Sequence, residues 1–135
     1  MAADKVNISY KIYLEAEDIA QSRILSTTSY VKNLFQNCTN RYLQNASVDD
    51  ESDLDDFVLR LYIEENIEEE SCTAPEEAKA FPGDMAEFLN AIALAQSYLD
   101  MEGSFALSYQ DVTVAYTFTS ESGSDFCNFE EKAKD

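Results

Sequence analysis

Histidine and tryptophan are absent from this 135-residue chain, and glycine (3), proline (2) and cysteine (3) are scarce. Without histidine there is no Ser-His or Cys-His pair for nucleophilic catalysis, and the glycines form no GxSxG, GxGxxG or Walker-type phosphate loop. No enzyme is expected. Cys38, Cys72 and Cys127 are odd in number and widely spaced, with no CxxC pair, which argues against a disulfide framework and against a structural zinc site. That usage fits a reducing compartment. Met1-Ala2-Ala3-Asp4-Lys5 opens no apolar signal segment, so the acceptor triplets at Asn7, Asn37 and Asn45 are read as chance matches and the expected location is the cytoplasm. No apolar run is long enough to span a bilayer, and an anionic leaflet would repel the chain.

The largest deficit is of positive charge. Nine Lys and Arg stand against 27 Asp and Glu, a formal net charge of −18. A globular surface for this mass is about 7,100 Å², or roughly one uncompensated negative charge per 400 Å². Self-repulsion on that scale opposes compaction, so the imbalance serves solubility, the repulsion of something, or the attraction of a basic partner. With 45% hydrophobic residues, 8 Tyr and 8 Phe, the composition is nevertheless that of a folded domain.

The apolar pattern places the elements. Val6, Ile8, Tyr10, Ile12 and Leu14 alternate with polar residues, a long half-buried strand. From about Ser26 the period becomes three and four through Tyr30, Val31, Leu34, Phe35, Cys38, Tyr42 and Leu43, a helix with Thr27 or Thr28 as N-cap; residues 19–25 form a separate turn or extend it. Phe57, Leu59, Leu61 and Ile63 mark a second strand. Asp84 with Glu87 makes a capping box for a helix buried through Met85, Phe88, Leu89, Ile92, Ala95 and Leu99 and ended by Gly103. Phe105, Leu107 and Tyr109 then oppose Tyr116, Val114 and Val112 in a hairpin turned by Gln110-Asp111.

Strand, helix, strand, helix, hairpin is the order of an α+β fold, expected as a two-layer sandwich of about four strands with two helices on one face. Residues 1–119 are assigned to a single domain, with an acidic connection at 65–83 and a polar C-terminal tail at 120–135 anchored by Phe126 and Phe129. The other sheet face would carry Ser9, Lys11, Tyr13, Val58, Arg60, Tyr62, Ser108, Thr113, Ala115 and Thr117. As a nearly acid-free surface it is either simply wetted or a dimer or partner interface.

The acid is concentrated. Asp49, Asp50, Glu51, Asp53, Asp55, Asp56, Glu64, Glu65, Glu68, Glu69, Glu70, Glu76 and Glu77 are 13 carboxylates accompanied only by Arg60, a net of −12 within residues 49–77. The first 47 residues carry a net of +1, which argues against a uniform adaptation to high salt. An EF-hand reading from Asp49 fails, because Leu54 takes the glycine position and Arg60 the bidentate-glutamate position. No metal and no cofactor are expected. Direct nucleic-acid binding is disfavoured by the lack of a basic stripe. On an extended segment, Asp49, Glu51, Asp53 and Asp55 would lie about 6.8 Å apart, close to twice the per-strand phosphate rise.

In composition, though in no motif, the chain resembles the nucleic-acid mimics of phages and mobile elements: anti-restriction proteins, uracil-DNA glycosylase inhibitors and anti-CRISPR proteins. That resemblance implies a small inhibitor or decoy that occupies the basic, nucleic-acid-binding surface of another protein, and it transfers no residues. The 13 carboxylates are the candidate partner-binding residues. The alternative is a non-catalytic structural or accessory subunit, dimeric through the neutral sheet face.

Overall fold

The computed structural model describes residues 5–110 and 112–131. Alternation at the start of the chain becomes β1 (Val6–Ala16), in which Val6, Ile8, Tyr10, Ile12, Leu14 and Ala16 are buried and the residues between them face outward. Helices α1 (Gln21–Gln36) and α2 (Arg41–Gln44) follow, then β2 (Val48–Asp50), β3 (Leu59–Glu69), α3 (Pro75–Ala95), β4 (Asp100–Tyr109), β5 (Val112–Ser120) and β6 (Asn128–Glu131). The strands form one open antiparallel sheet in the order β2-β3-β1-β4-β5-β6.

The chain is thus α+β, with six strands and three helices among the described residues where about four and two were expected. The two extra strands lie at the edges, where pairing is short. β2 spends three residues on Leu61–Ile63, and β6 spends four on residues 116–119. Of the segment expected as a tail at 120–135, residues 128–131 form a strand. Phe129 packs on Phe105 and Phe118, with ring centroids 6.2 and 6.3 Å away. Phe126 is no anchor, being 53% exposed; its neighbour Cys127 is buried instead and donates its backbone N–H to Asn90 Oδ1 at 2.7 Å.

The connection expected at 65–83 does not exist as a loop. Residues 65–69 complete β3, and α3 begins at Pro75. Pro75 lies in the first turn, where its missing N–H costs nothing, and Glu76 and Glu77 complement the positive end of the helix dipole. Asp84 is consequently no N-cap. The helix runs through Pro82 and Gly83, although an interior proline costs about 3 kcal/mol. Burial of Phe81 against Tyr10 and Phe105, at centroid separations of 5.7 and 6.2 Å, offsets much of that, since burying such a side chain is worth about 1.5–3 kcal/mol. Gly103 sits in β4, not at a helix end, and Ala95 is exposed while Ala93 is buried.

Helix α1 begins at Gln21 with Ala20 as N-cap, so Thr27 and Thr28 lie buried in its interior; Thr28 Oγ1 donates to the Ile24 carbonyl at 2.9 Å. The periodic stripe that continued to Leu43 is broken into two helices by Asn40. Its side chain caps α2 by accepting from Tyr42 N at 3.0 Å, and its Nδ2 donates to Glu77 O at 2.8 Å and Asp84 Oδ2 at 3.0 Å. One buried amide thereby ties α2 to α3. Phe35 and Phe88 join α1 to α3 at 4.4 Å, and Tyr10 joins β1 to α2 through a 2.7 Å hydrogen bond to the Tyr42 carbonyl. On the helical side of β5 and β6, Val114, Tyr116 and Phe129 are only half-buried, so the cover over that end of the sheet is incomplete.

Candidate functional site

The thirteen candidate carboxylates do not gather in one place. Asp49 and Asp50 lie in β2, and the chain then turns back into β3 through a hairpin closed by paired 2.9 Å backbone bonds between Asp53 and Val58. Within it, Asp50 Oδ1 accepts from Ser52 N, and Asp53 Oδ1 accepts from Asp55 N and Asp56 N, at 3.0–3.2 Å. These aspartates hold the turn. The extended row Asp49, Glu51, Asp53, Asp55 required by phosphate spacing is therefore bent, with the strand proper ending at Asp50 and Asp53 committed to its own backbone. Asp55 and Asp56 remain exposed at the tip.

Along β3 the residues alternate. Glu65 and Glu69 point to the helical side, where Glu65 accepts from Ser47 N at 3.3 Å and Glu69 accepts from the Tyr42 hydroxyl at 2.7 Å and Arg41 Nη2 at 3.0 Å. Glu77 accepts from Arg41 N at 3.1 Å. Glu65, Glu69 and Glu77 are structural acceptors. Burial, followed by the contacts with Cys72 and Glu69, holds the Tyr42 phenol well above the usual tyrosine range, which keeps it a donor to Glu69. Glu70 and Glu76 are exposed near the end of β3 and the start of α3.

Glu64 and Glu68 project to the open face of the sheet, and there the registers bring together what the sequence had kept apart. Glu15 lies between Arg60 and Asp100, Tyr13 between Tyr62 and Glu102, and Lys11 between Glu64 and Ser104. Asp49 continues the tyrosine row on one side, while Glu130 faces Thr117 on the other. Seven carboxylates (Glu15, Asp49, Glu64, Glu68, Asp100, Glu102 and Glu130) thus share this face with two bases, Lys11 and Arg60. Both bases are already engaged, Arg60 Nε with Glu15 at 3.3 Å and Lys11 with Glu64 at 4.0 Å. The face expected to be neutral is acidic. Glu15 and Glu64 already alternate with apolar residues in the sequence; Glu68, Asp100 and Glu102 join them because β3 and β4 reach beyond their apolar runs, and Asp49 and Glu130 because β2 and β6 pair at the sheet edges.

At its centre, Tyr13 and Tyr62 pack ring on ring with centroids 4.7 Å apart, and Tyr13 is 40% exposed. The Tyr62 hydroxyl donates to Glu64, and that bond, with Tyr13 beside it, raises the phenol far above its ordinary value. Next to Tyr13 a cavity of about 350 Å³ opens at the ends of β1, β4 and β5, walled by Glu15, Asp100, Glu102 and Glu121 together with Met101, Thr119 and Ser120. Asp100 Oδ1 accepts from Ser122 N at 2.9 Å, whereas the Glu102 and Glu121 carboxylates have no partner among the described residues. No group of three or more carboxylates and thiols among the described residues is arranged to hold a metal ion, and no described helix is long and apolar enough to cross a membrane. Compared with protein-family models, with curated proteins and with solved structures, the chain matches none.

Proposed function

We propose that this chain is a non-catalytic acidic decoy that covers a basic, nucleic-acid-binding surface of another protein, the strategy of anti-restriction and anti-CRISPR inhibitors. The observation that supports it is the sheet face with seven carboxylates, whose two bases are both engaged by carboxylates of the same face. A solvated face needs no such excess, and repulsion within it favours a cationic counterpart. Competition tests the reading: double-stranded DNA or RNA displaces the chain from the partner captured from its host. A ternary complex formed without loss of affinity refutes mimicry.

A second reading, an accessory subunit, now rests on a different surface. Pro82, Gly83 and Ala86 of α3 with Phe105, Tyr116 and Phe129 line an apolar groove of about 270 Å³. Association there would be insensitive to salt, which separates the two readings.

A further inference from the structure

We infer that the open sheet face around Tyr13 and Tyr62 is the docking surface, and that its occupant is an arginine-bearing surface of a basic protein. This inference rests on the proposed function and gives it a place and a chemistry. Three observations favour arginine. The Tyr13–Tyr62 pair offers exposed aromatic surface in the middle of an acidic field, and a guanidinium plane stacks on such rings while its edge donates to carboxylates. The adjoining cavity, about 350 Å³, is large enough for the end of one long cationic side chain. Two of its walls, Glu102 and Glu121, carry carboxylates unengaged by any described residue, so incoming N–H donors need not break an existing ion pair.

The other occupants fit less well. A second copy placed face to face would oppose two net-negative surfaces, and nucleic acid or an anionic bilayer would be repelled. A lysine ammonium gains the Coulomb attraction without the planar stacking and forked hydrogen bonding of guanidinium. The aromatic pair therefore predicts selectivity within the basic class.

Nona-arginine and nona-lysine peptides, titrated at low salt and followed by calorimetry, provide the probe. The variant Glu102→Gln/Glu121→Gln and the control Asp55→Asn/Asp56→Asn each remove two charges, one pair from the walls of the cavity beside Tyr13 and one at the hairpin tip. The face variant should weaken nona-arginine binding about fivefold or more and the control less than twofold. Tyr13→Leu preserves charge and apolar bulk, and should reduce the preference for arginine over lysine about threefold. Circular dichroism melts verify that each variant is folded. Equal losses in the two charge variants would overturn the docking surface while leaving an acid-driven binder in place. Failure of the native chain to bind nona-arginine would refute the underlying reading. Sedimentation showing a dimer dispersed by Tyr13→Leu would assign the face to a second copy and overturn the proposal.

Discussion

Replacing each of two glycines by alanine should move stability in opposite directions. At Gly103, in β4 opposite Ile12, φ is 158° and an added Cβ would stand 2.0 Å from the Lys11 carbonyl oxygen and 2.9 Å from Phe118 Cζ. The first contact is with backbone of the central strand, which moves only if the β1–β4 ladder opens. Overpacking costs about 1–3 kcal/mol and a strained backbone a similar amount, so Gly103→Ala should lose about 3 kcal/mol or more. For a domain of this size that lowers Tm by about 10 °C or more. Gly83 lies inside α3 with nothing within 4 Å of the new methyl, and Gly83→Ala should gain about 0.5–1 kcal/mol from reduced backbone freedom in the unfolded chain. Because the chain has no tryptophan, urea unfolding followed by far-ultraviolet circular dichroism is the suitable assay. A Gly103→Ala protein within about 1 kcal/mol of the native chain would refute the close approach of β4 to β1.

Asn40→Ala removes the α2 cap and both donors to α3, and should cost about 2–3 kcal/mol by the same assay; a loss below 0.5 kcal/mol, on the order of an exposed cap alone, would contradict the buried hub. In alkali, burial pushes the Cys127 thiol up to about 11 and also raises the Tyr10 and Tyr42 phenols, so the unfolded chain releases these protons first. Their contribution is present below about pH 9 and is lost as pH rises toward 11, so unfolding free energies measured at pH 8, 9, 10 and 11 should fall steadily; a flat series would contradict it. Screening of the −18 net charge should raise the Tm of the isolated chain by a few degrees as salt rises from low to physiological, and a falling Tm would show that attractive pairs outweigh repulsion.

Hydrophobic periodicity carried the fold where one face of an element meets the core. β1 was legible throughout, and the hairpin register Tyr109 to Val112, Leu107 to Val114 and Phe105 to Tyr116 is the one expected from matching apolar faces. Gln110 adopts φ of 54°, supplying the positive angle that such a tight turn needs without glycine; Asp111, the other expected turn residue, lies outside the described residues. The pattern failed where polar side chains find private partners. Glu65 and Glu69 interrupt the apolar alternation of β3, and only Ser47, Arg41 and Tyr42, distant in sequence, make those positions tolerable. Pro75 with Glu76 and Glu77 is a helix start, but the Asp84–Glu87 capping box reads as the stronger boundary until the burial of Phe81 is known.

For the candidate site, the amount of acid was legible and its placement was not. Counting along the chain favours runs, so the 49–77 stretch dominated, yet the structure commits Asp50 and Asp53, exposed as they are, to backbone N–H groups of their own hairpin. Glu15, Asp100, Glu102 and Glu130 come from three different strands and form no run in the sequence. Only strand order and register join them. The tyrosine pair and the neighbouring Glu15 and Glu64 were visible as outward residues, whereas Asp49 and Glu102 join them only through β2 and the extended start of β4.

The central claim, that acid on this surface drives recognition of a basic protein, is tested most directly by affinity across one salt series. With the partner captured from the host, binding isotherms from about 20 mM salt to about 150 mM span a shortening of the Debye length to about 8 Å. Affinity should fall steeply, by roughly tenfold or more, with most of the change in the association rate. An affinity that stays flat over that range would contradict the account and point to the apolar groove beside Pro82 instead.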